Sequence, residues 1–341
     1  MPTYFDPDIR AAKLVDLPVL RRLTEQASVL DSELGCTRDT IGVHGALISG
    51  GLWARDHYTL VGKAHKQMIA GQIHVLAADR RAQIVFVAPS VHDESADNTA
   101  LLHLLDAMAS EAGRRGAHTL TAEVDEMSPL FVSLRSAGFA VYARQELWRG
   151  TVSTHIEPAM LTKETGDDAF DIQQLYASIV PRLVQSIVIP STDSEGYVYR
   201  ENGQVRGYVA LTEGRSGIYV VPFFHADLSI ERAMAVLAGA IAQSSRADKL
   251  PITVCIRRYQ EWLNTALELM GFVVTGEQAV MVRHIAAGVR QPTFASFAQV
   301  LDAIPAGART PGQRPIRLTG EFVPVSHSIT EEPAPPYLVG V

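Results

Sequence analysis

Residues 202–225 read NGQVRGYVALTEGRSGIYVVPFFH, two strand patterns joined by a turn. Val205, Gly207, Val209 and Leu211 alternate with Arg206, Tyr208, Ala210 and Thr212. That period of two suits a half-buried antiparallel strand. Glu213-Gly214-Arg215-Ser216-Gly217 predicts the turn, because glycine reaches positive φ at little cost. Ile218 to Val221 is an unbroken apolar run, which suits a strand covered on both faces. Pro222 has no amide hydrogen for a ladder, so the second strand is expected to stop there.

The same grammar occurs about 135 residues earlier, in QMIAGQIHVLAADRRAQIVFVAPSVH from Gln67 to His92. Ile69, Gly71, Ile73 and Val75 mark the first strand, Asp79 to Arg81 the turn, and Ile84 to Val87 the buried strand. Pro89 stands where Pro222 stands in the later copy. An echo at a fixed distance sets architecture before any single motif does, and here it implies two similar halves.

The flanking segments extend the echo. In the first half a short strand at Ile9–Ala12 precedes a helix that Asp16 caps, with Leu17, Leu20, Leu23 and Ala27 on one face. Tyr58 to Gly62 reads as a strand, and Gly35 to Gly51 is glycine-rich without a clear pattern. After the hairpin come a polar loop at His92–Asp97 and a helix with Leu101, Leu104, Leu105 and Met108 at helical spacing. Thr119–Val124 is a strand, Pro129–Ser136 a helix stopped by Gly138, and Phe139–Arg149 a closing strand pair. The second half repeats this order. Leu161–Glu164 is a strand, Asp167 or Asp168 caps a helix, and Pro181–Ser194 is a connection. Ser229 caps a helix with Ala233, Val236, Leu237 and Ala240 inward. Ile252–Ile256 is a strand, Gln260–Met270 a helix, and Val273–Val274 with Ala279–His284 the final pair. Gly138-Phe139 and Gly271-Phe272 hold the same place in each copy.

Composition narrows the function classes. The chain has 341 residues, 47% hydrophobic and 20% charged, which is ample for globular cores. A net charge of −7 offers no extended basic face, so nucleic acid is not an expected partner. No run approaches the roughly 18 apolar residues of a membrane span. The opening MPTYFDPDIR lacks the layout of a secretion signal, and Cys36 and Cys255 are expected to be reduced thiols, so the expected location is the cytoplasm. No metal-ligand spacing, Walker-type phosphate loop or G-x-S-x-G elbow is present.

The repeated order resembles the GNAT superfamily of acyl-CoA N-acyltransferases. It is carried by the hairpins at Gly71 and Gly207, the strand ends Val87-Ala88-Pro89 and Val220-Val221-Pro222, and the two Gly-Phe pairs. The resemblance implies an α/β (α+β) chain of two tandem GNAT-like domains, each a mixed, mainly antiparallel twisted sheet flanked by helices. Residues 1–150 would form the first and residues 151–290 the second, with residues 291–341 a short helix and a Pro-rich tail. It also implies acetyl-CoA as the donor, no metal, and the amine of a small molecule or peptide as the acceptor. No membrane partner is implied, and the chain would be a monomer or a homodimer.

In that family the buried strand splays from its neighbour and frees backbone groups for the pantetheine arm. The following loop carries glycines through which backbone amides reach the pyrophosphate. Both copies here lack those glycines. The first has His92, Ser95 and Asp97 at the loop positions, with Asp93 and Glu94 between them. One carboxylate at about 6 Å from a phosphate costs roughly 1–3 kcal/mol, and two or three of them would cancel a helix-terminus contribution of about 0.3–1 kcal/mol per charge. The second copy is less hostile, so Val220, Val221, His225, Leu228, Ser229 and Ile230 are the expected donor-binding residues. Where the family's general acid is a tyrosine, four residues before the Gly-Phe glycine, this chain has Leu134 and Leu267. The residues that could take a proton from an attacking amine are Glu123, Glu213, His225 and Tyr259. Each also has a plain structural reading: solvated strand and turn acids, a loop hydrogen-bonder, and cover for a helix start beside Trp262. The competing functional reading is a catalytically inactive ligand-binding or scaffold protein.

Overall fold

The computed structural model describes residues 8–38, 56–64, 67–76, 79–90, 98–151, 156–187 and 194–285. Most of the glycine-rich stretch, the loop at His92–Asp97 with its acids, and the helix and tail at 291–341 lie outside the described residues.

The first half runs β1 (Asp8–Ala11), α1 (Leu17–Thr24), β2 (Ser28–Val29), α2 (Ser32–Thr37), β3 (His57–Ala64), β4 (Gln67–Leu76) and β5 (Arg81–Ala88). It continues with α3 (Thr99–Arg114), β6 (Thr119–Asp125), α4 (Pro129–Ser136) and β7 (Ala140–Gly150). The second half runs β8 (Thr162–Lys163), α5 (Ala169–Ile179), α6 (Arg182–Gln185), β9 (Glu195–Glu201), β10 (Gln204–Glu213) and β11 (Ile218–Phe224). It ends with α7 (Ile230–Ile241), β12 (Ile252–Arg257), α8 (Asn264–Leu269) and β13 (Val273–His284). The expected order therefore recurs in both halves.

Helical spacing buries what it should. Leu104, Leu105 and Met108 of α3 pack with Ile73 and Ile84 in one core, and Ala233, Val236 and Leu237 of α7 pack with Val209 and Val220 in another. Ser229 caps α7, its hydroxyl accepting from the Arg232 amide at 3.2 Å. Asp16 precedes α1 but does not cap it with its side chain. Its carboxylate instead accepts from the Lys13 amide and both guanidinium arms of Arg10. The two Gly-Phe pairs share one construction. Gly138 and Gly271 sit at φ +84° and +85°, and Phe139 and Phe272 donate back to Leu134 and Leu267 at 3.0 and 2.9 Å. This is the left-handed helix stop that only glycine adopts without penalty, and it drops each phenylalanine into a core.

The halves are joined by exchange. The sheet order is β1-β3-β4-β5-β6-β13-β7-β12-β11-β10-β9-β8, with β2 pairing β5 off that path. β13 lies antiparallel between β6 and β7, and β7 lies between β13 and β12. Among the described residues, each half thus ends on a strand whose neighbours all belong to the other half. This corrects the expectation of a closing strand pair in each copy. Phe139–Arg149 and Val273–His284 contain one long strand apiece, because both edges of each are taken up across the join. Register shifts at Val274/Gly276 and Val280/Met281 absorb the mismatch between the two.

Two turn readings also change. The second central strand runs through Pro222 to Phe224, with Pro222 opposite Val209. Amides at Ile218 and Phe224 point away from β10, toward the β12 side, so the proline nitrogen two residues before Phe224 faces that side too. The β11–β12 ladder has already ended at Val220, so no ladder bond is lost. Gly214 and Gly217 are not among the glycines with positive φ. They are there for close approach: a Cβ at Gly214 would lie 2.1 Å from the Thr37 carbonyl oxygen, and one at Gly217 would lie 2.3 Å from that of Cys36. The hairpin of the second half is pressed onto the end of α2 from the first, where the Ser216 amide donates to Thr37 at 3.1 Å. Gly214→Ala is expected to cost about 1–3 kcal/mol of stability by forcing that contact apart. A urea midpoint identical to that of the parent chain would show that the contact does not hold the halves together.

Candidate active site

The strands that the resemblance implies should part do part, in both halves. In the first, β5 and β6 run parallel only through Arg81/Thr119, Ala82/Leu120 and Gln83/Thr121. Past Gln83 the gap is filled by the chain itself. β2 pairs antiparallel to β5, the Leu30 amide donates to Val85 at 2.9 Å, and the Leu30 carbonyl accepts from the Glu123 amide at 2.9 Å and from Gln83 Nε2 at 2.7 Å. Leu30 is almost fully buried and is part of the first core.

In the second half, β11 and β12 run parallel through Ile218/Ile252, Tyr219/Thr253 and Val220/Val254. The gap beyond is bridged by one side chain. Gln260, on the turn after β12 and 1% exposed, donates from Nε2 to the Pro222 carbonyl at 2.9 Å. Its Oε1 accepts from the Phe224 amide at 2.9 Å. A carboxamide holds there the same donor and acceptor that an amide of a pantetheine arm would hold.

The two closures differ in strength. Opening the first means unburying Leu30, worth about 1.5–3 kcal/mol, and breaking several backbone bonds at about 0.5–1.5 kcal/mol each. Opening the second means turning one side chain and exchanging two hydrogen bonds for two others. The gap of the second half is therefore the easier of the two to open.

The expected donor residues divide. Val220 is buried toward α7, and Leu228, Ser229 and Ile230 form the start of that helix. Glu231 follows, its carboxylate held below its ordinary pKa by its own backbone amide and by Ser229. His225 lies at the surface, with Nδ1 3.1 Å from Arg206 Nη1 and accepting from the Asp227 amide at 3.3 Å. It is a loop hydrogen-bonder. Glu213 is also remote, tied to Ser244 at 2.6 Å and to Arg246.

Val221 turns the other way, into a central cavity of about 120 Å³ to which both halves contribute. Glu123 lines it from β6, mostly buried, accepting from the Ser32 amide at 2.9 Å and from Arg257 Nη2 at 3.4 Å. Asp31 lines it from the start of α2, which it caps by accepting from the Leu34 amide at 3.0 Å. Tyr259 packs against the apolar cluster that contains Phe223, its hydroxyl buried and without a partner among the described residues. Burial pushes that phenol above its ordinary pKa. The cavity thus brings together Glu123 and Val221 from the sequence-predicted set, while Tyr259 is not among its lining residues.

Sequence reasoning passed over Arg81, Arg257, Asp31 and Gln260. Arg81 opens β5 and Arg257 closes β12, each 7% exposed at the end of an apolar run and beside a second arginine, Arg80 or Arg258. Nothing local marks either as buried, because each reads as an ordinary charged strand end. Cys255 is fully buried, and burial pushes its thiol up to about 11, which disfavours the thiolate form. Leu134 and Leu267 are wholly buried in the two cores.

Burial, reinforced by the Glu123 carboxylate, pushes the Asp31 carboxyl up to about 7 against the opposing Leu34 amide. Its ordinary value is about 4. The native state therefore binds this proton more tightly than the unfolded chain, so stability falls as pH rises from about 4 to about 7 and stays low above. Asparagine keeps the cap and carries no charge. Asp31→Asn is expected to stabilise the protein at pH 8 by on the order of 2 kcal/mol and to give no gain near pH 4. Thermal melts across that range check this, and two parallel curves would refute it.

Among the described residues, no cluster of His, Cys, Asp or Glu is placed to hold a metal ion, and no helix is long and apolar enough to cross a membrane. No protein-family model matches the chain, and no curated protein matches it. Solved structures do. A GCN5-related N-acetyltransferase from Sphaerobacter thermophilus is similar at a TM-score of 0.51 and 9% identity, covering 82% of this chain and 96% of that one. A protein of Pyrococcus horikoshii provisionally assigned as an acetyltransferase is similar at a TM-score of 0.50 and 14% identity, covering 82% and 90%. The chain has a GNAT-type fold, and the likeness extends across both halves.

Proposed function

We propose that this GNAT-fold chain is an acyl-CoA-dependent N-acyltransferase that moves an acetyl group from acetyl-CoA to an amine. The donor arm lies in the gap between β11 and β12, and the amine in the central cavity. The observation that carries this is a shared strand. β11 borders the gap where Gln260 now bonds Pro222 and Phe224, and the same strand presents Val221 and Phe223 to the cavity. An acyl group at the inner end of the gap would meet an amine there.

Bound acetyl-CoA supplies the activated acyl carbon and a fair leaving group. The chain's own residues do the rest. Pro222 and Phe224 offer a carbonyl and an amide to the arm once Gln260 turns aside. Glu123 and Asp31 stand on the cavity wall as carboxylates that can take the proton an amine must lose before it attacks. An acid near pH 7, as Asp31 is, suits that task. The C–N bond forms as the C–S bond breaks, the second proton that the nitrogen sheds passes to the departing thiolate or to solvent, and Leu267 has no proton to give.

A non-catalytic ligand-binding role is the second reading, favoured by one specific observation. Gln260 already satisfies both backbone groups of the gap, and Glu231 places a carboxylate at the start of α7. Calorimetry with acetyl-CoA at millimolar concentration separates the two. Heat of binding with a thermal shift supports the transferase. Neither would leave the ligand-binding reading.

A further inference from the structure

The central cavity contains two buried cations with donors to spare. Arg81 and Arg257 are each 7% exposed. Arg81 spends Nη1 on the Ile187 carbonyl and Nη2 on Asp79 at 3.4 Å, while its buried Nε has no partner among the described residues. Arg257 spends Nη2 on Glu123 at 3.4 Å, and its buried Nε and Nη1 have no partner among the described residues. Guanidinium donors removed from water without acceptors are costly, and both arginines line the same cavity. Acids share the same wall: Asp31, Glu33 and Glu123.

This mixture selects a ligand by charge. A phosphate dianion would satisfy the arginines but face three carboxyl groups. A simple amine would meet the acids and leave the guanidinium donors bare. A group carrying one carboxylate and one ammonium answers both sets, with the carboxylate on Arg81 and Arg257 and the ammonium on Glu123 and Asp31. The volume agrees. About 120 Å³ is enough for the five heavy atoms of an α-amino-acid headgroup.

We infer that the central cavity binds the zwitterionic headgroup of a free α-amino acid. Resting on the acyltransferase reading above, this makes the α-amino group of that amino acid the acetyl acceptor. Phe223, Val221 and Tyr219 then line the path from the headgroup toward the β11–β12 gap.

The test is calorimetry on the full chain, without any thioester, using a panel of L-α-amino acids. At least one is expected to bind. Its carboxamide analogue and its 2-hydroxy analogue are expected to bind about tenfold or more weakly, since each loses a charge-assisted hydrogen-bonded group. Arg257→Gln is expected to weaken the amino acid far more than the carboxamide. The ligand series on the parent chain keeps the test valid even if that variant folds poorly. No binding by any amino acid, or equal binding by the carboxamide and 2-hydroxy analogues, would overturn the proposal. Acetyl-CoA is titrated separately. Thioester binding without amino-acid binding removes this acceptor and leaves the transferase standing. Amino-acid binding without thioester binding keeps the cavity assignment and removes the transferase.

Discussion

Residues 1–151 and 152–341, produced as separate chains, are expected to give no folded monomer of either half, and to fold as a one-to-one complex when produced together. The reason is the exchange at the centre of the sheet. Every pairing of β7 is with β12 or β13, and every pairing of β13 is with β6 or β7. Cutting the chain strips each half of both neighbours of its last strand. It also removes Ala279 and Met281, wholly buried, from the first core, and Trp148 from the second. An exposed edge at β6 and an unpaired β7 leave backbone groups unsatisfied and apolar surface open, the condition that drives aggregation or re-pairing. Circular dichroism and sedimentation of the separate and mixed halves check this. A first half re-paired with a twin of itself would still follow the exchange logic. A folded, monomeric first half would contradict it.

Gln260→Ala is expected to do two opposite things. It leaves the Phe224 amide and the Pro222 carbonyl without their partner in a buried place. An orphaned buried group costs about 1–3 kcal/mol, and at about 2–4 °C per kcal/mol for a unit of this size the melting temperature should fall by several degrees. The same change opens the gap, so an incoming arm no longer has to displace the glutamine. If that displacement costs about 1.4 kcal/mol, acetyl-CoA binds about tenfold tighter to the variant. A less stable protein that binds its donor better is not what a merely structural glutamine would give. Loss of stability with unchanged or weaker acetyl-CoA binding would mean that the gap is not the donor site.

The sequence showed what is local. Alternation at Ile69–Val75 and Val205–Leu211 marked the hairpin strands, and Gly138-Phe139 and Gly271-Phe272 marked two helix stops with the same hydrogen bond. The Asn202-Gly203 pair that turns β9 into β10, at φ +51° and +79°, was also there to be read. What the sequence did not show depends on distant partners. Nothing within β7 or β13 says that each pairs only with the other half. Nothing near Leu30 says that it bridges β5 and β6, because its partners Val85 and Glu123 lie far along the chain. Gly214 and Gly217 were read as turn formers, whereas the carbonyls of Thr37 and Cys36 are what require them. The site was legible only at its edges. Glu123 and Val221 were among the predicted residues, but Arg81 and Arg257 meet only once two strands from different halves flank one cavity.

The most direct measurement is the response of backbone and side-chain amide resonances to acetyl-CoA in ¹⁵N-labelled protein. The Phe224 amide and the Gln260 side-chain amide are expected to shift strongly as the arm replaces the glutamine, while the amide of Leu30, bridging β5 and β6, stays in place. Shifts at Leu30 with none at Phe224 would put the donor in the first half, and unchanged spectra at saturating acetyl-CoA would mean that this fold no longer serves acyl transfer.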